Sequence, residues 1–439
     1  MATSDLHTNV SAIIDAESLS VIEESSTPSI SNEKAIAGHA SADSRWMTVA
    51  GSWLILFSTF GYLYAFGVYQ DFYTRFFLSN HTTSQIAWIG SLQLTMPFLL
   101  GIVAGKLYDV GYYHVMEISG SFIFTFSIFM LSLSQPHQYY QVFLSQGVGM
   151  GLGVGFTFVP TLSNIAHHFY DKKAFATGIA LSGSSTGALI FPIMLNHLIP
   201  AIGFEKAVRA SGYIVLGCLI VGNCLIRRST RRNNSAETRS VDIKSFFVDL
   251  PYVIAIPGAL IALLGLYFPL IYIQLYAIEH GVDPNLAFYS IAIINGVSGV
   301  GRIGANFMAD TYGPFNVFLP VTIFTSAGVF LLLAVKGAAS LVIVSAFYGL
   351  FSGAWLSVAL AALASLSRSP AEVGARTGLV LALASFGSLG AAPIQGALLG
   401  PTFFWWKATV FSGTVMAASA FFFLAIRQIL VRERGTQRV

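Results

Sequence analysis

In the run Ser290-Ile-Ala-Ile-Ile-Asn295-Gly-Val-Ser298-Gly-Val-Gly-Arg302-Ile-Gly, one arginine interrupts residues that are otherwise apolar or small. At the centre of a lipid-spanning helix an arginine costs at least ~2.5–3.5 kcal/mol, so a chain that keeps one usually has a use for it. A guanidinium stays charged and presents a planar fork of donors that fits a carboxylate. The chemistry expected of Arg302 is therefore recognition of an anionic group, or a gate built by pairing within the protein. The alternative is an arginine that snorkels, because Ala309 follows after only ~10 Å of helix rise. No Ser-His-Asp order, paired carboxylates or metal-like His/Cys spacing accompanies it, so no enzyme, metal or cofactor is expected. Cys218 and Cys224 share one apolar stretch, too far apart along a helix for a disulfide, and read as packing residues.

Other groups able to meet a ligand are polar and aromatic rather than charged: Tyr62, Tyr64, Gln93, Tyr267, Tyr272, Gln274, Asn295, Ser298, Tyr348, Ser352, Trp355, Ser385, Ser388 and Gln395. Aromatic faces with a few amides and hydroxyls suit a flat or amphipathic organic anion better than a small hydrophilic acid. For any single residue the competing reading is an interface anchor or plain packing. Carboxylates sit near the ends of apolar stretches: Asp109, Glu117, Asp310 and Glu372 at one side, Asp71, Glu279 and Asp283 at the other. His167 and His168 beside Lys172 and Lys173 read as a solvated loop, with a proton relay as the alternative.

The elements that must position these residues are membrane helices. The chain is 55% hydrophobic and 10% charged, against roughly 25% charged for a soluble domain. A span needs ~20 apolar residues, and twelve fit: 46–69, 86–105, 113–134, 141–163, 174–199, 210–226, 251–277, 286–308, 316–335, 340–364, 374–398 and 403–426. The longest polar break, 227–248, contains Arg227, Arg228, Arg231, Arg232, Arg239 and Lys244 and divides the chain into halves 46–226 and 249–427. Residues 1–45, rich in Ser, Ala and acid, read as a disordered cytoplasmic tail, and 428–439 as a second tail. With both termini cytoplasmic, only Arg75, Lys206, Arg209, Lys336 and Lys407 of the 23 lysines and arginines fall outside, as the positive-inside rule demands. Asn80-His81-Thr82 is then a glycosylation sequon on the outer side. A net charge of +3 points to no nucleic acid.

Two short segments relate the halves. Gly105-Lys-Leu-Tyr-Asp109-Val-Gly111 follows the second span, and Ala309-Asp310-Thr-Tyr-Gly313 follows the eighth. Parallel six-helix halves describe the major facilitator architecture, whose loop between helices 2 and 3 carries such a Gly-x-x-x-Asp signature. Here Tyr112, Tyr113 and His114 stand where basic residues are usual. The run Tyr170-Asp-Lys172-Lys173-Ala-Phe-Ala176-Thr-Gly178-Ile-Ala180-Leu-Ser-Gly183-Ser184-Ser185-Thr-Gly187 resembles the helix 4–5 signature of the monocarboxylate porter family, and Gly51-Ser-Trp-Leu through Gln70 resembles its fungal members. The resemblance spans 46–427.

It implies an all-α, twelve-helix major facilitator fold of pseudo-symmetric halves, working by alternating access. It also implies that Arg302 meets a substrate carboxylate. Two charges of the animal members are absent. Ser298 replaces an aspartate four residues before the arginine, and Tyr64 stands for a lysine late in helix 1, which separates this chain from their proton–lactate mechanism. The expected substrate path is Arg302, Asn295, Ser298, Tyr64, Tyr62, Gln93, Tyr267, Tyr272, Gln274, Tyr348, Trp355 and Ser388. Gating or packing falls to Asp109, Asp310, Lys172, Lys173, Gly178, Gly183 and Gly187, since small residues let helices approach closely. Gly147, Gly149, Gly151, Gly153 and Gly155 should make helix 4 bend or pack on several sides. The expectation is a monomeric, multi-pass plasma-membrane carrier of an organic anion, with protons as candidate coupling ion and the lipid bilayer as its other partner. Uptake of a planar nutrient such as riboflavin, and a non-transporting membrane sensor, are the alternatives.

Overall fold

The computed structural model describes residues 42–169, 172–227, 243–368, 372–400 and 403–439. Chain contacts divide it into Met1–Trp46, of which only the start of the first helix is described, and one compact body, Met47–Val439. Arg228, Arg231, Arg232 and Arg239, and most of the amino-terminal tail, lie outside the described residues.

Among the described residues, twelve helices are long and apolar enough to cross a membrane: α1 Ser44–Phe77, α2 Ser84–Tyr108, α3 Tyr113–Ser132, α4 Tyr139–Ala166, α5 Lys173–Ile202, α6 Phe204–Leu225, α7 Leu250–Glu279, α8 Pro284–Tyr312, α9 Pro314–Ala334, α10 Ala338–Ser365, α11 Val373–Leu399 and α12 Trp405–Arg434. All twelve expected spans are present, but hydropathy misplaces several ends. Helix α1 continues through an Asp71–Arg75 ion pair of 2.8 Å, and α6 begins earlier, where Glu205 and Arg209 pair at 2.6 Å. Helix α12 runs to Arg434, so most of the expected second tail is helical. Charged residues end a hydropathy signal, yet Arg and Glu are good helix formers and pair at i,i+4.

The first helix of each half breaks at a tyrosine. Regular helix in α1 stops at Leu63 and resumes at Phe66, with Tyr64 in the gap. In α7 it stops at Leu266 and resumes at Phe268, with Tyr267 between and Pro269 just beyond. Proline lacks the N–H that would continue the ladder, and the Tyr348 hydroxyl of α10 donates to the Leu266 carbonyl at this break. Irregular backbone at membrane depth persists only where protein satisfies it.

Helix α4 widens into π turns over Phe143–Met150, and its glycines face several neighbours. A Cβ on Gly151 would lie 2.9 Å from Met96 Cβ, one on Gly153 2.7 Å from Phe124 Cβ, and one on Gly155 2.5 Å from Leu100 Cδ1.

Two helix pairs join the halves, α5 with α8 and α2 with α11. A Cβ on Gly105 would sit 2.6 Å from the Gly374 carbonyl, and one on Gly101 3.3 Å from Gly378 Cα. Only glycine permits such approach. Lys106, Lys172, Lys173, Arg368 and Arg376 gather at one end of the bundle and form its basic face. There Arg376, 2% exposed, donates to Asp249 (2.5 Å) and Glu372 (2.9 Å) and lies 4.6 Å from the Phe246 ring centroid. This cluster pins the start of α7 to α11.

Candidate substrate site

A cavity of about 50 Å³ lies inside the bundle, lined from both halves. Phe60 and Tyr64 of α1, Phe98 of α2, Phe158 of α4 and Leu181 of α5 form one wall; Ala259 and Leu263 of α7, Arg302 of α8, five residues of α10 including Trp355, and Leu381 and Ala384 of α11 form the other. Phe60, Phe98 and Phe158 make a three-ring cluster with centroids 4.8 to 5.9 Å apart. The volume suffices for a few waters, so an organic substrate requires the walls to part.

Arg302 is the charged group on this wall and is 4% exposed. Its Nη1 donates to Ser184 Oγ (2.9 Å) and the Leu181 carbonyl (3.3 Å), both on α5 of the other half. The Tyr64 hydroxyl faces the guanidinium, and Nε has no partner. Among the described residues no carboxylate pairs with it. Arg302 thus bridges the halves through neutral acceptors, with no carboxylate beside it among the described residues. Snorkelling is excluded: the side chain turns inward between α5 and α8.

Tyr267, 3% exposed, lies one turn beyond Leu263, close to Tyr64, Tyr348 and Arg302, with its hydroxyl unpartnered. Trp355 Nε1 donates to Thr322 (3.0 Å), so the indole offers its ring to the cavity.

Several residues expected on the path face elsewhere. Tyr62 is buried within the first half, bonded to Tyr69 (2.5 Å) and Ser211 (2.8 Å). Gln93 turns to Met150 Sδ, Tyr272 to the Ala392 carbonyl and Gln395 to that of Leu264. Asn295, Ser352, Ser385 and Ser388 bond to carbonyls of their own helices. Gln274 is half-buried near the end of α7, away from the cavity lining. The reason is common to most: a short polar side chain in a helix finds the carbonyl three or four residues back, leaving the cavity to aromatic and aliphatic groups. Ser298 spans the halves instead, 2.7 Å from Ser185 Oγ.

The residues expected to gate or pack divide. The Asp310 carboxylate accepts from the Ala174 (3.0 Å) and Phe175 (2.7 Å) amides, capping α5 from the end of α8. A Cβ on Gly178 would meet the Arg302 carbonyl at 2.7 Å, whereas Gly183 and Gly187 press on Trp53 and Phe57 of α1. Helix α5 therefore uses one small-residue face against α8 and another against α1. Lys172 and Lys173 are exposed, and the side chain of Asp109 lies outside the described residues. Asn80 is exposed, with Oδ1 3.3 Å from His137 Nδ1. Sequence reasoning missed the phenylalanine cluster, the Leu181 and Ser184 acceptors, and Asn306, which braces the Arg302 carbonyl at 2.7 Å. Only Ser184 carried a signal, as part of the small-residue signature.

The geometry defines a bundle of twelve apolar helices with a largely apolar cavity, bearing Arg302, between two halves. The family model of the Major Facilitator Superfamily matches residues 47–338, and the chain belongs to that superfamily of transporters. It is 36% identical over 355 residues to the MFS-type transporter dbaD of Emericella nidulans, covering 81% of this chain and 79% of that one. It is 37% identical over 372 residues to the aspyridones efflux protein apdF of the same fungus, covering 84% and 75%. The fold is similar to the proton:xylose symporter XylE, with a TM-score of 0.68 at 13% identity over 88% of this chain and 96% of that one.

Proposed function

We propose that this transporter is an efflux carrier for organic anions, specifically amphipathic aromatic acids of the kind a fungus exports. The observation that carries the reading is Arg302: a buried guanidinium with neutral partners, a free Nε and an aromatic wall opposite. An acid would supply the missing negative charge, and its ring system would lie against Phe60, Phe158 and Trp355. The efflux role named for the aspyridones protein supports export. The helix 4–5 run from Lys172 to Gly187 supports a place near the monocarboxylate porters. In this reading the basic face is cytoplasmic and the carrier is a plasma-membrane monomer. The halves rock about the cavity, with Arg302 in contact with α5 in one state and with substrate in the other, and protons are the candidate coupling ion.

The test uses yeast cells loaded with 1-naphthoate or with 1-naphthamide, which has the same ring and no charge. Cells expressing the protein should lose naphthoate faster than control cells and retain the amide. Equal loss of both compounds, or faster riboflavin uptake with no effect on naphthoate, would overturn the anion reading.

A further inference from the structure

After Arg434, Gly435 (φ 63) turns the chain back beneath the junction of α8 and α9. Residues Thr436–Val439 then form a strap with fixed contacts. Val439 is 1% exposed, and its main-chain oxygen accepts from the Phe315 (3.0 Å) and Asn316 (3.3 Å) amides, the first that α9 offers after Pro314. Gly313 (φ 100) makes room for it: a Cβ there would lie 2.7 Å from Val439 N and would meet Val439 O. Asn316 Nδ2 donates to the Gln437 carbonyl (2.6 Å), and Arg427 Nε donates to Asn316 Oδ1 (2.6 Å). The Arg438 guanidinium donates to the main-chain carbonyl of Asp310.

That last contact ties the strap to the junction between halves. The carboxylate of the same Asp310 accepts two amides at the start of α5, and Phe175 and Phe307 pack beside it with centroids 5.8 Å apart. One residue is thus held from behind by Arg438 and reaches across to the other half in front. We infer that the 435–439 strap is a positioning element for this latch, with Arg438 as its working residue. While the strap is docked, the turn at Asp310 is fixed and its carboxylate meets the α5 amides. When the strap leaves, the turn is free, the cap weakens, and the α5–α8 junction at the basic face opens more readily. The inference rests on the alternating-access reading.

The experiment needs no substrate. In full-length protein with Cys218→Ser and Cys224→Ser, a reporter cysteine is placed at Ala359, on the cavity wall. Its reaction with a membrane-impermeant maleimide added from the basic face measures how often that side opens. Arg438→Ala should raise the labelling rate about three- to tenfold, the scale of losing one ordinary, solvent-exposed hydrogen bond. Arg438→Lys should restore much of the difference. Asp310→Ala should raise labelling as well, and the double variant should not exceed Asp310→Ala, because both changes act through one contact. Gly313→Ala meets Val439 without touching Arg438 and also strains the turn at φ 100, so it should raise labelling at least as much. Thermal melting of each variant reports folding. If Asp310→Ala raises labelling while Arg438→Ala and Gly313→Ala, both folded, do not, the strap inference fails and alternating access stands. A strap effect that adds in full to that of Asp310→Ala overturns it too. If every variant is labelled at the parent's rate, the strap inference fails; if the reporter is labelled from the basic face in neither the parent nor any variant, alternating access itself fails.

Discussion

Replacing Arg302 by alanine separates recognition from folding, because the structure predicts opposite consequences for the two. The guanidinium gives Ser184 Oγ and the Leu181 carbonyl a donor. Ser184 Oγ also donates to Leu181 O at 2.8 Å without it, so Arg302→Ala orphans neither group. It also removes a buried charge that no carboxylate neutralises among the described residues. The melting temperature should therefore change little or rise. Binding should respond differently: truncating one member of a buried charge pair costs roughly 2–5 kcal/mol, or about 30-fold to several-thousand-fold in Kd. Trp355 lies on the cavity wall, so quenching of its fluorescence in detergent-purified protein reads 1-naphthoate binding directly. Naphthoate should bind the variant at least ~30-fold more weakly, while naphthamide should shift by less than about threefold. Arg302→Lys should fall between, because it keeps the charge and loses the fork. An unfolded Arg302→Ala protein, or one that binds acid and amide as the parent does, would refute the reasoning and make the arginine a structural brace.

Other expectations follow from the packing. Gly187→Val forces a side chain into the Phe57 carbonyl and Gly61 Cα and should destabilise by about 1–3 kcal/mol or more, read as a lower melting temperature with poor insertion. Asp249→Ala takes the 2.5 Å partner from buried Arg376 and leaves it Glu372, so it should cost about 1–3 kcal/mol. Replacing both by apolar residues of similar volume should cost far less, which a double-mutant cycle of melting curves checks. Asp310→Asn keeps an acceptor for the α5 amides but loses the charge. It should weaken the cap by about 0.3–1 kcal/mol, a two- to fivefold rise in basic-side labelling, smaller than that of Asp310→Ala.

Much of the architecture was legible along the chain. Hydropathy is a one-dimensional property, and a bilayer imposes its thickness on every span alike, so Trp46 to Ser58, Ile254 to Leu266 and their counterparts declared themselves. Helix ends were less legible. Asp71 and Arg75, or Glu205 and Arg209, look like loop residues until the i,i+4 pair is seen. Of the residues singled out in the sequence, Arg302, Tyr64 and Trp355 line the cavity and Tyr267 lies close by. Tyr62 and Tyr64 are two residues apart, and composition treats them alike. In the helix they point in different directions, one into the Tyr69–Ser211 network and the other into the cavity.

The sequence by itself determined a twelve-helix membrane protein and marked Arg302 as a costly residue to place within it. Each follows from a free energy of transfer that depends on residue type alone. Tertiary structure decided which face each helix turns inward, that Phe60, Phe98 and Phe158 rather than the serines and glutamines wall the cavity, and that Arg302 finds its acceptors on α5. It also decided that Asp310 caps a helix of the opposite half while Arg438 holds it from behind. Those contacts join residues more than a hundred positions apart, and helix rotation and register set them, which no local pattern in the chain encodes.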